Sequence, residues 1–216
     1  MVVQPPYRDL VQDALYGRTN DTLNVLCEDE AAEAILQGVF DSLLPRTQTR
    51  SGSVRIGRDT GANEFPTHAA ACRKFGQIGN FVFVLDGDAE RRGIRRRIRE
   101  RAGAEVPVLY LPGGEAPEAW LWQTLLARAD EVSNALGADT GEFRQAIAQT
   151  DAVYASAGGS ASEIAKEKLY GFSQRFNREP ADICRLVGRL EAARDESDIQ
   201  PLVEGLETVL QAWRSL

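Results

Sequence analysis

Apolar positions follow two different rhythms along this chain. Up to about residue 115, short continuous apolar runs alternate with helical stretches; beyond it only the helical rhythm remains. LNVLC (23–27), SVRIG (53–57), FVFVL (81–85) and VPVLYL (106–111) are short runs bounded by polar or turn residues, and they predict strands. FVFVL is the strongest of them, apolar throughout, as a strand covered on both faces is. Between the runs, the spacing predicts helices over 28–44, 67–78 and 89–102. The first carries Ala31, Ala34, Ile35, Val39, Leu43 and Leu44 at helical intervals and stops at Pro45; the last places Ile94 and Ile98 on one side. A further short amphipathic helix is predicted over 5–16, after Pro5-Pro6.

From Pro117 onward, five segments (117–137, 141–155, 160–176, 180–195 and 198–216) read as helices separated by Gly and Pro breaks. Strand and helix in alternation imply an α/β fold, a parallel sheet of about four strands flanked by helices. The organisation read from the pattern is an N-terminal helix (1–19), an α/β core (20–115) and an all-helical C-terminal subdomain (116–216).

Composition narrows the class. Hydrophobic residues make up 43% and charged residues 26% of 216, enough for a real core. No apolar run approaches the roughly 18–20 residues of a membrane span, and the N-terminus lacks a basic segment followed by an apolar one. The three cysteines are far apart with no CxxC pair, which fits reduced thiols in a cytoplasmic protein. His68 is the only histidine, which argues against histidine metal clusters and Ser-His-Asp triads and leaves it as part of helix 67–78. Trp120, Trp122 and Phe172 sit at helical positions and read as core. ASAGGSAS (155–162) lacks the GxxxxGK[ST] of a P-loop and reads as a loop between helices, so no ATP site is visible.

The candidate chemistry lies at two strand ends. LNVLC runs into Glu28-Asp29-Glu30, and FVFVL into Asp86-Gly87-Asp88. Ligands of parallel α/β sheets bind beyond the carboxyl ends of the strands. If these two strands are neighbours, Glu28, Asp86 and Asp88 converge; in extended geometry Asp86 and Asp88 share a side. Clustered carboxylates repel unless a cation sits among them, and oxygen-only ligands suit Mg²⁺ or Mn²⁺. Acids after a strand also serve as helix N-caps and first-turn charges, and that reading stands beside the first.

VLCEDEAAEAIL followed by FVFVLDGDAERR resembles the TOPRIM domain of topoisomerases, primases and OLD-type nucleases, which carries a glutamate after its first strand and a DxD after its third. The resemblance covers about 20–125, and LPGGEAPEAWLW (111–122) is similar to the OLD (overcoming lysogenization defect) branch. It implies a TOPRIM-like Rossmannoid sheet and a divalent-metal-dependent endonuclease acting on DNA or RNA. It implies metal ligation by Glu28, Asp86 and Asp88, with Glu118 joining at the head of the next helix. Lys166 or Lys168 would contact the reacting phosphate. Such domains work with an ABC-type ATPase, so an ATPase partner, a role in antiphage defence and room for self-association follow. Asp29 stands where many members have glycine, and Ala32 where another acid is usual, with Glu33 one residue further on. That departure favours a non-cleaving Mg²⁺-binding module as the alternative. A receiver-like phosphoacceptor is a second one, which the DxD and the lack of a fifth strand ending in lysine fit less well.

Net charge is −7, yet seven arginines fall within 91–101. Arg91, Arg92, Arg95, Arg96 and Arg99 are candidates for gripping a phosphate backbone beside the metal site. A solvated helix face, its arginine stems covering the sheet, is the alternative.

Overall fold

The computed structural model describes residues 22–49, 53–58 and 61–214, so the helix predicted over 5–16 lies outside the described residues. Four parallel strands form one sheet: β1 (Leu23–Cys27), β2 (Val54–Arg58), β3 (Phe81–Leu85) and β4 (Val108–Tyr110), in the order β2-β1-β3-β4. Among the described residues nine α-helices surround it: α1 (Glu30–Thr47), α2 (Phe65–Lys74), α3 (Ile94–Ala102), α4 (Pro117–Ala127), α5 (Ala129–Leu136), α6 (Thr140–Tyr154), α7 (Ala161–Arg175), α8 (Pro180–Ala192) and α9 (Gln200–Arg214). The architecture is α/β and Rossmann-like. None of these helices is long and apolar enough to cross a membrane.

Burial explains the apolar runs. Every residue of β1 and β3 is buried, because these central strands are covered on both faces. Edge strand β2 is only partly buried and carries Arg55 and Arg58, charges that discourage pairing with another strand. One face of the sheet packs Phe81, Phe83 and Leu85 against Phe65 and Cys72 of α2 and Ile94 and Ile98 of α3. The other face, with Val25, Val82 and Val84, shares a single core with α1 and the helices after Pro117.

Helix α1 is buried almost all round because it lies between the sheet and α8. The two helices meet through glycines. A Cβ on Gly38 would lie 1.9 Å from the Arg185 carbonyl oxygen, and one on Gly188 would lie 2.4 Å from that of Ile35. No larger residue fits either position without parting the helices.

Several boundaries differ from the sequence reading. Helix α1 runs through Pro45 to Thr47 and ends at Gln48 in the left-handed region. Proline removes only one ladder donor there, and the helix continues for two more residues. Strand β2 sits one residue later than expected, α2 spans 65–74 rather than 67–78, and β4 keeps only three residues. The helix expected over 89–102 begins at Ile94, after a 3-10 turn (Gly87–Glu90) and a left-handed Gly93. The single helix expected over 117–137 is two, broken at Arg128 (φ −124°, ψ 26°).

Candidate functional site at the ends of β1 and β3

From β1 the chain proceeds by α1 to β2 on one side. From β3 it proceeds by α3 to β4 on the other. The order therefore reverses between β1 and β3, and the helices that follow them lie on opposite faces of the sheet. A crevice opens at such a reversal, beyond the carboxyl ends of the strands. Glu28 follows β1 and Asp86 follows β3, so both acids stand at that crevice.

The two acids are held differently. Glu28 has only 11% of its side chain exposed. Its Oε1 accepts from the Asp86 backbone N–H (3.0 Å), and its Oε2 accepts from the Ala62 N–H (3.2 Å). An Arg92 Nη lies 3.4 Å from Glu28 Oε2 and 3.4 Å from Asp88 Oδ1, bridging the two carboxylates. Asp86 has no such support: its Oδ1 is buried and receives no hydrogen bond. Burial, and next the charges of Glu28, Asp29, Asp88 and Glu118, push its carboxyl from 3.8 up to about 8.

Asp88 does not continue the strand. The chain turns into the 3-10 segment at Gly87, so the shared side expected of an extended Asp86-Gly87-Asp88 is not formed; half of the Asp88 side chain is exposed, facing Arg92. Gly87 is needed here. A Cβ on it would lie 2.6 Å from the backbone nitrogen of Gly114, so the turn after β3 packs directly on the loop after β4. That loop leads into α4.

Glu118 lies in the first turn of α4 and is 5% exposed. Burial raises its carboxyl above the ordinary range, and the Asp29 charge adds to this; its own backbone N–H and Lys166 oppose it. Lys166 Nζ lies 3.9 Å from Glu118 Oε1. The two line a pocket of about 310 Å³ together with Asp29, Glu30, Tyr170 and Cys184. Lys168 is elsewhere: its Nζ lies 2.6 Å from Asp151 Oδ1 and 5.6 Å from the ring centroid of Trp122. The structure thus separates the two lysines, placing Lys166 next to the carboxylates and Lys168 in a polar cluster away from them.

Other acids of the first strand end have structural partners. Asp29 caps α1 by accepting from the Ala32 N–H (2.9 Å). Glu33 pairs with Arg58 at 2.8 Å, and Ala32 is fully buried, so neither supplies the acid that the resemblance places four residues after Glu28. Trp120, Trp122 and Phe172 are core residues, and the three cysteines are buried free thiols. Burial, with Glu33 and Asp29 next, raises the Cys27 thiol well above its ordinary range, so it stays protonated beside the acids.

Sequence reasoning missed the Ala62 amide and the bridging role of Arg92. The amide leaves no mark in side-chain patterns. Arg92 was one of seven arginines, and its i,i+4 spacing to Asp88 is the only local signal.

Among the described residues, no three carboxylate, thiol or imidazole groups gather as a ready-made ligand set. What does fit a small hard cation at Asp86 is a buried carboxylate oxygen left open, with the charges of Glu28, Asp29, Asp88 and Glu118 acting on it. No family model, no curated protein and no solved structure matches this chain.

Proposed function

We propose that this chain is a divalent-metal-dependent nuclease of TOPRIM type, closest to the OLD branch, that hydrolyses phosphodiester bonds in DNA or RNA. The observation that carries this reading is Asp86: a carboxylate at the reversal of strand order, buried, unbonded at Oδ1 and pushed up to about 8 by burial and by acids around it. A fold keeps such a group at a cost in stability, and a cation removes that cost.

In this reading Asp86, Glu28 and Asp88 would hold the ion. A bound Mg²⁺ or Mn²⁺ would supply Lewis-acid polarisation of a phosphodiester oxygen. Glu28 fixes the Asp86 backbone through the 3.0 Å hydrogen bond and so sets the carboxylate's position. Glu118, buried and drawn toward Lys166, marks the far side of the site. Lys166 would face charge that builds on the phosphate in the transition state. Lys168, committed to Asp151, has no such role. The family resemblance adds an ABC-type ATPase partner, a cytoplasmic location and antiphage defence to the proposal.

The Arg92 bridge favours a second reading. A guanidinium already neutralises Glu28 and Asp88, and Ala32 stands where a further acid is usual. Both features suit a module that binds Mg²⁺ without cutting. One assay separates the two. Plasmid DNA and a structured RNA are incubated with wild type, Glu28→Ala and Asp86→Asn, in Mn²⁺, Mg²⁺ or EDTA. Cutting that needs the ion and is lost in both variants supports the nuclease. Ion binding without cutting, with or without the ATPase, supports the module. Cutting by Asp86→Asn at the wild-type rate removes both readings of the site.

A further inference from the structure

Six of the seven arginines after Asp88, all but the exposed Arg91, divide into two sets. Arg92 bridges Glu28 and Asp88, and Arg96 pairs with Glu100 at 3.5 Å. Arg97 donates to Asn63 Oδ1 (3.5 Å) and Arg101 to Thr67 Oγ1 (3.2 Å), both on the side of α2. Among the described residues, Arg95 and Arg99 have neither a carboxylate partner nor a hydrogen-bond acceptor for Nε.

Arg95 and Arg99 are one helical turn apart on α3, about 6 Å along its axis. Their Nε atoms are buried, so the stems are packed down and much of their rotamer freedom is already lost. The guanidinium of Arg95 lies 6.0 Å from the ring centroid of Tyr110 on the edge strand β4. Together with Arg96 and Glu100, the two arginines line an open depression of about 530 Å³. Two pre-placed, unpaired guanidiniums side by side repel each other, and each is shaped to take a phosphate through two parallel N–H groups. A ligand with one phosphate meets one fork; a chain of phosphates meets both.

We propose that Arg95 and Arg99 form a clamp for two phosphates of a nucleic-acid backbone, holding the strand at the β4 edge of the sheet without any metal ion. Arg92, Arg97 and Arg101 take no part in it. This rests on the nuclease reading only for the identity of the polyanion. The clamp's own contacts are independent of the ion.

The test is fluorescence anisotropy in EDTA, with a labelled single strand and a labelled duplex titrated at several salt concentrations. Two double variants of equal net charge are compared, R95Q/R99Q and R97Q/R101Q. For R95Q/R99Q the slope of log K against log salt should fall by about 1.4 on a single strand or about 1.8 on a duplex, and R97Q/R101Q should keep the wild-type slope. Equal losses in both variants would mean bulk attraction only. An unchanged R95Q/R99Q would mean the side chains merely cover the sheet edge. No binding by wild type in EDTA would also overturn the clamp. Should R95Q/R99Q melt early, R95K/R99K keeps both charges and loses both forks. It should then bind about fivefold more weakly at an unchanged slope, and wild-type affinity would contradict the proposal. Because binding is read in EDTA and cutting in Mn²⁺, failure of the clamp and failure of the nuclease are separate results.

Discussion

The ends of β1 and β3 lie side by side, and each carries an acid into the same crevice, yet the two are built to opposite specifications. Glu28 accepts two backbone hydrogen bonds and faces a guanidinium. Asp86, next to it, has a buried oxygen with no donor at all. The first acid ties two loops together, and its charge is compensated in the fold. The second is held up by the first, since the Glu28 carboxylate grips the Asp86 backbone rather than its side chain. Sequence composition at the two ends is the same, acid after apolar run. Only the surroundings separate a carboxylate that stabilises from one that is stored for a ligand.

The largest expected effect breaks the comparison at its structural side. Glu28→Ala leaves the Asp86 and Ala62 amides without an acceptor and Arg92 without one of its two carboxylates. It should destabilise the fold by about 2–3 kcal/mol in urea unfolding. A loss below a few tenths of a kcal/mol would show that Glu28 holds nothing.

Asp86→Asn should act with the opposite sign. The Asp86 carboxyl titrates at about 8 in the fold and near 3.8 when exposed, so between those values the folded state binds the extra proton. Stability is therefore highest below about pH 4 for this group, falls as pH rises toward 8, and is flat above. Asn carries no such slope. At pH 8 to 9 the variant should be more stable than wild type by about 1–2 kcal/mol, allowing for partial solvent screening. Thermal melts across pH 5 to 9 check this, and parallel curves for the two proteins would contradict it.

The smallest effect sharpens the comparison in the helical part, where two lysines of one helix differ in the same way. Lys168→Met removes the partner of Asp151, and should cost about 1 kcal/mol. Lys166→Met, at a long contact and 55% exposed, should cost less than about 0.5 kcal/mol. Denaturant midpoints that rank the two the other way round would contradict this ordering of the two contacts.

Much of the fold was legible from the chain because the central strands are buried on both faces, and their apolar runs admit no other reading. The end of α1 and the break at Arg128 were not. A proline and an arginine carry weak local signals, and here packing decides. The Arg128 guanidinium reaches toward Glu191 of α8 (3.8 Å), a tie made across the fold. At the site, the acids could be named from the strand ends, but not their states. Whether a carboxylate is bonded or orphaned depends on loops such as the one bearing Ala62. The lysines illustrate the same limit. Two residues apart on a helix, they point about 200° apart, so one alone can face the carboxylates, and only the packing of α7 says which. The arginines sort for the same reason: Arg92 and Arg96 meet carboxylates, Arg97 and Arg101 meet Asn63 and Thr67 on the side of α2, and Arg95 and Arg99 keep an Nε with no acceptor.

The most direct test of the central claim is a calorimetric titration of Mn²⁺ into wild type and Asp86→Asn between pH 6 and 8. If Asp86 is kept open for a cation, wild type binds the ion with an affinity that rises about tenfold per pH unit as its proton is displaced, and the variant does not bind. Absence of binding to wild type at pH 8, or equal binding by both proteins, would contradict the account.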